Sequence, residues 1–210
     1  KLLVPPGVDN PKLQIAVVSD KNSWINDYIP ELMEDVLSLG ISVCWFHDHN
    51  KVKETTDIIF LLSYFSIVKS SWINKNPHTY VIHESKLPAN KGWSPLTWQI
   101  IQGRSKIPVS LFEIKPSIDS GPILLEDSIH IKPYDLLKDI RLKQANITRN
   151  MILKFLKKPN YFQNNQREQS GTGNILRRRT PNDSRVDPHK TIAEQFNLIR
   201  VCDYLNYPCY

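Results

Sequence analysis

Leu13–Asp20, LQIAVVSD, is a nearly continuous apolar run closed by polar residues, the pattern of a strand buried on both faces in a parallel sheet. Outward from it, KNSWINDY (21–28) reads as a loop and PELMEDVLSLG (30–40) as a helix. Pro30 suits the first turn, Leu32, Val36 and Leu39 recur on one face, and Gly40 supplies the stop. ISVCWF (41–46), DIIFLLSYF (57–65) and TYVIH (79–83) read as further strands, the last ending on His83. Alternation of this kind builds an α/β sheet, in which ligands gather at the carboxyl ends of the strands.

Beyond His83, GWSPLTWQIIQG (92–103) carries the marks of a helix: Ser94 as N-cap, Pro95 in the first turn and Gly103 just past the end. VSLFEI and ILLEDSIHI read as strands joined by the turn KPSIDSGP (115–122), so a hairpin or sheet corner is expected there. YDLLKDIRLKQANITRNMILKFLKK (134–158) predicts the longest helix, with Leu136, Ile140, Ile147, Met151, Phe155 and Leu156 near one stripe. QNNQREQSGT (163–172) reads as an exposed polar loop. In the tail, NILRRRTPNDSRVD is strand-like and basic, and HKTIAEQFNLIRVCDY has helical spacing. The predicted division is a core over 1–160 and a loop, strand and helix over 161–210 packed on it, since the tail is too short for a second core.

The chain has 210 residues, 40% hydrophobic and 23% charged, which excludes a disordered chain and fits one large domain with an appendage. No apolar run approaches the roughly 18 residues of a membrane helix, and KLLVPPGVDNPK shows no charged-then-apolar leader. A soluble cytoplasmic protein without membrane association is the expectation. Cys44, Cys202 and Cys209 are odd in number and lack CxxC spacing, so disulfides are not expected to hold the fold. The net charge of +6 suits an anionic ligand without requiring nucleic acid.

Single residues each carry two readings. His83, at a strand end, is a candidate proton donor or a solvated loop side chain. Asp119, before Ser120-Gly121, can raise the proton affinity of a neighbouring imidazole, or is ordinary turn chemistry. Asn22 and Ser23 follow the first strand, where backbone amides bind phosphate, and Trp24 beside them either stacks on a base or anchors the core. His47-Asp48-His49 looks like a metal cluster, but neighbouring strand residues point to opposite faces, so no metal is expected. Arg177-Arg178-Arg179 is a phosphate patch or a solvated run.

HESKLPANKGWSP (83–95), IDSGPI (118–123), RRRTPNDSRVD and NYPCY together resemble the formyltransferases that use 10-formyltetrahydrofolate. His83, Ser85, Leu87, Pro88, Gly92 and Pro95 fill the family's first pattern, and Asp119-Ser120-Gly121 the second. The resemblance runs from about Leu13 to Tyr210 and implies a Rossmann-like formyltransferase fold: a mostly parallel twisted sheet flanked by helices, with a short C-terminal strand and helix. It also implies an enzyme. SDKNSWINDYIPEL, WFHDHN and HESKLPANKGWSPLTWQI are closest to short enzymes that formylate nucleotide-linked deoxyamino sugars, dTDP-linked above all, for surface polysaccharide such as lipopolysaccharide O-antigen.

The resemblance makes His83 the catalytic acid and oxyanion partner, with Asp119 tuning it and taking a proton from the attacking amine. It implies no metal and no covalent enzyme intermediate. Folate contacts are implied at Ser85, Lys86, Leu87, Pro88 and Trp93 and at Lys115, Pro116, Ser117, Ile118 and Asp119. The nucleotide sugar is assigned Asn22, Ser23 and Trp24, then Arg177, Arg178 and Arg179. Two departures stand out: Val81 where the family carries an oxyanion-binding Asn, with Asn76 or Asn90 as substitutes, and Lys91 where Arg is common. Two other readings compete. One is a fragment of a methionyl-tRNA formyltransferase, whose tRNA-binding domain would need about a hundred further residues. The other is a catalytically impaired module that binds nucleotide sugar or nucleic acid. A homodimer is left open.

Overall fold

The computed structural model describes residues 13–210. Residues 1–12, which the sequence reading counts with the core and finds without a leader, lie outside the described residues. Strand β1 (Gln14–Val18) leads through a 3-10 turn at Trp24–Tyr28 into helix α1 (Ile29–Ser38), and β2 (Ser42–Phe46) returns parallel to β1. β3 (Ile58–Leu61) crosses to the other side of β1, and after helix α2 (Ser70–Lys75), β4 (Thr79–His83) joins beyond it, both parallel. A short strand β5 (Lys91–Gly92) and helix α3 (Pro95–Ile101) precede the hairpin of β6 (Lys106–Glu113) and β7 (Ile123–His130), which extends the sheet antiparallel. Helices α4 (Leu137–Lys157) and α5 (Pro159–Asn164), strand β8 (Ile175–Leu176) and helix α6 (Ile192–Ile199) complete the chain.

The sheet order is β2-β1-β3-β4-β6-β7, so successive crossovers leave β1 in opposite directions and open a crevice at the carboxyl ends of β1 and β3. The double burial of β1 is direct. Ile15 and Val17 face the main core with Phe60, Tyr80 and Ile82, while Ala16 and Val18 join Ile59 and Leu61 on the other face. Helices α1, α3 and α4 cover the main core with Leu32, Val36, Ile100, Met151 and Phe155. Among the described residues no helix is long and apolar enough to cross a membrane.

Several local expectations are corrected. The long apolar run DIIFLLSYF is strand only to Leu61, because Ser63 turns at φ +45°. Helix α2 has no periodicity long enough to signal it. Ser94 stands before α3 but sits at φ +50° and makes no capping hydrogen bond. The long helix starts at Leu137, three residues after the start of the predicted segment at Tyr134: Leu136 is exposed at the N-cap, and its N–H donates to Asp139 Oδ2.

The polar loop is partly built into the sheet. Gln163 lies in α5, where its Nε2 donates to the Tyr80 hydroxyl (2.7 Å), and Arg167 exchanges backbone hydrogen bonds with Ile123 beside the edge strand. In the tail only Ile175–Leu176 is strand, and Pro181–Ser184 forms a 3-10 turn. Cys202 and Cys209 carry free thiols whose sulfurs lie 2.7 Å apart, a meeting their spacing does not announce.

Candidate active site

β4 delivers His83 to the carboxyl edge of the sheet, where its side chain is buried to 8% exposure. Its Nε2 donates to the Asn90 carbonyl at 2.8 Å, and since a carbonyl can only accept, the proton belongs on Nε2. Nδ1 is therefore the nitrogen open to exchange, and it faces Asp119 Oδ2 at 3.8 Å, within ion-pair distance but outside hydrogen-bond range.

Asp119 comes from the turn between β6 and β7. Its backbone lies in the left-handed region at φ +44°, which costs a residue with a Cβ about 1–3 kcal/mol. Oδ2 accepts the Gly92 N–H at 2.8 Å, and among the described residues Oδ1 takes no hydrogen bond. Gly121 lets the turn close: a Cβ there would stand 1.6 Å from the Glu113 carbonyl oxygen. Gly92, at φ +90°, lies under β8, whose Leu176 carbonyl would stand 2.6 Å from an added Cβ.

Two buried polar atoms beside this pair have no hydrogen-bond partner: Ser85 Oγ, two residues after His83, and Gln169 Oε1, whose Nε2 bonds the Asp119 turn. Glu84 turns the other way, toward α4, where Gln144 Nε2 donates to its Oε1 at 2.5 Å. Burial pushes this carboxyl above the ordinary range against the opposing pull of His83.

The assigned folate segments flank the pair. Leu87 is buried against Phe112 and Ile123, Pro88 is half-buried, and Lys86 is exposed. Lys115 pairs with Glu113, while Pro116, Ser117 and Ile118 form an exposed rim. Trp93 stacks on Phe65 with ring centroids 5.3 Å apart, and the Arg178 guanidinium lies 4.9 Å from the same indole.

The three arginines part company. Arg177 is held by Asp183 and lies over Trp98, Arg179 is buried against Ser184 and Tyr207, and Arg178 forms no ion pair among the described residues. Asn22 is exposed, Ser23 Oγ is buried without a partner, and Trp24 packs on the main core, with Arg141 of α4 over its ring.

Val81 shares the His83 face of β4 but sits among Leu61, Leu87, Phe112 and Ile123. Asn76 caps α2 at the far end of β4, so it lies away from His83. Asn90 is the nearer amide: its carbonyl holds His83, and Asn174 Nδ2 donates to its Oδ1 at 3.2 Å. His47 Nδ1 donates to the Ser19 carbonyl, and His49 Nδ1 pairs with the Tyr64 hydroxyl. Among the described residues no three His, Cys, Asp or Glu side chains are grouped to hold a metal. Phe65, Gln169 and Asn174 are site residues that sequence reasoning passed over; they lie in polar or irregular segments whose pairing is long-range.

The chain is 27% identical over 150 residues to a methionyl-tRNA formyltransferase of Pseudothermotoga lettingae, covering 71% of this chain and 49% of that one. It thus spans about half the length of that curated relative. The solved methionyl-tRNA formyltransferase from Clostridium thermocellum superposes with a TM-score of 0.77 at 22% identity, over 93% of this chain and 86% of that chain. The formyltransferase PseJ from Anoxybacillus kamchatkensis, in complex with UDP-4,6-dideoxy-4-formamido-L-AltNAc and tetrahydrofolate, gives a TM-score of 0.56 at 18% identity, over 78% of this chain and 85% of that one. These likenesses bear on the fold. The formyl transferase family matches residues 47–156, over half of the chain and inclusive of both His83 and Asp119, and the chain belongs to that family.

Proposed function

We propose that this chain transfers a formyl group from 10-formyltetrahydrofolate to the amine of a nucleotide-linked deoxyamino sugar, a cytoplasmic step in surface-polysaccharide synthesis. The observation that carries the reading is the facing of His83 Nδ1 and Asp119 Oδ2 at the carboxyl edge of the sheet. Such a pair moves protons in acyl transfer to an amine. The division into a core to residue 160 and a tail beyond it belongs to the same proposal, since β8 of the tail pairs with β5 beside the site.

When bound, the folate supplies the electrophilic formyl carbon. Ser85 to Pro88, Trp93 and the turn from Lys115 to Asp119 would hold it. Asp119, with Oδ1 free, accepts the proton that the amine sheds on attack. His83, its ring fixed by the Nε2–H bond to Asn90, carries a proton on Nδ1 and delivers it on the leaving side. Arg178, exposed and without an ion pair among the described residues, is the arginine that would take a phosphate beside Trp93. Asn22, Ser23 and Trp24 sit on the α4 side of the same edge, as a second place for the acceptor. PseJ, with a nucleotide sugar and tetrahydrofolate together, supports this choice of acceptor.

A second reading, with methionyl-tRNA as acceptor, is favoured by the names of the curated relatives. One assay separates them: release of tetrahydrofolate with dTDP-, UDP- and GDP-linked 3-amino and 4-amino deoxysugars and with methionyl-tRNA. Turnover with a nucleotide sugar is expected. Turnover with methionyl-tRNA alone would establish the second reading, and folded protein inactive with every amine would contradict both.

A further inference from the structure

Gln169 lies 50 residues beyond Asp119 in the polar segment after α5, yet its Nε2 donates to two carbonyls of the catalytic turn, Asp119 and Gly121, each at 2.8 Å. A carboxamide nitrogen has two hydrogens, and here both are spent on residues i and i+2 of one turn, which fixes the turn as a chelate would. Self-satisfaction does not explain the placement, because Gln169 Oε1 is buried without a partner. The segment is itself anchored: Arg167, two residues earlier, exchanges backbone hydrogen bonds with Ile123 at 2.8 and 2.9 Å.

The turn needs such a clamp. Asp119 is not glycine and sits at φ +44°, a conformation that persists where the surroundings over-determine it. Its carboxylate is the group that faces His83 and accepts the Gly92 N–H. We propose that Gln169 is a positioning residue for the catalytic carboxylate, acting through the backbone of the Asp119 turn. The proposal rests on the reading of Asp119 as catalytic, and its test has one arm that needs no substrate.

The first arm is amide hydrogen exchange of the full chain, wild type against Gln169→Leu and Gln169→Glu. Both variants keep roughly the side-chain bulk and remove the two N–H donors; Gln169→Leu leaves no donor at all, and Gln169→Glu leaves at most one O–H. The Gly92 amide, bound to Asp119, is expected to exchange at least about tenfold faster in each, while the Ile123 and Arg167 amides keep their protection. The second arm is kinetic: Gln169→Leu lowers kcat at least about tenfold with KM for both substrates within about threefold. Added to Asp119→Asn it costs less than about twofold more, because residues acting as a unit are not additive.

Unchanged Gly92 protection in a folded variant would overturn the proposal, and so would losses that multiply in the double variant. Lost protection at Ile123 and Arg167 would also overturn it, by showing that Gln169 holds the segment instead of the carboxylate. If no amine is turned over, the proposed function fails while the exchange arm alone decides the positioning of Asp119.

Discussion

Val81 lies two residues before His83 on the same face of β4, between Leu61 of β3 and Phe112 of β6. Val81 is half-buried, and an amide there would replace an apolar contact with Leu87 and Ile123 by a polar group, at a cost of about 1 kcal/mol. Val81→Asn is therefore expected to lower the melting temperature by about 2 °C or more and to leave turnover no higher than in wild type. Thermal denaturation beside the tetrahydrofolate-release assay checks both. A rise in turnover would show that the missing donor limits the reaction and that Asn90, whose carbonyl already holds His83, does not replace it.

At the scale of elements, one carboxylate orders the basic stretch that follows β8. Asp183 accepts from both terminal nitrogens of Arg177, from the Thr180 N–H at 2.6 Å and from the Thr180 hydroxyl at 3.0 Å. The Arg177 guanidinium, with the Thr180 donors, holds this carboxyl far below the ordinary carboxylate range. A depressed carboxyl contributes stability that is present above its unfolded value near 4 and is lost as pH falls through the folded one. Asp183→Asn is expected to melt about 2–4 °C below wild type at pH 7, with the gap closing as the pH drops below about 4. A gap that stays constant from pH 7 to pH 3 would show that Asp183 contributes packing and not charge.

The same tail shows why some elements were legible in sequence and others were not. β1, β4, α3 and the β6–β7 hairpin have their reasons within a few residues: apolar runs, Pro95, Gly103 and a Gly-Pro turn. Helix α6 is likewise local, with Thr191 and Glu194 capping each other. The basic stretch from Asn174 does not follow its own propensity. After Leu176 its course is set by Asp183, and its arginines go to Trp98, Trp93 and Tyr207, three contacts that no local pattern encodes.

Across the whole molecule, the site is assembled from pieces distant in sequence: the end of β4, the turn before Gly121, the clamp at Gln169 and the strand pairing of Gly92 with Leu176. His83 and Asp119 become candidates through the family motifs they fill, since taken singly each also reads as a solvated loop histidine or an ordinary turn residue. Gln169 does not, since its role exists only once β7 and the returning segment are paired at Ile123 and Arg167. The parallel sheet brings the carboxyl ends of β1, β3 and β4 to one edge, and the hairpin returns Asp119 to that same edge, 3.8 Å from His83. The most direct test of that pair is tetrahydrofolate release at saturating cosubstrate and amine by wild type, His83→Ala and Asp119→Asn, with acceptor affinity measured by calorimetry. Each variant is expected to lose at least about a hundredfold in turnover while acceptor affinity changes less than about threefold. Turnover within about threefold of wild type in either folded variant would contradict the assignment of His83 and Asp119 as the centre of formyl transfer.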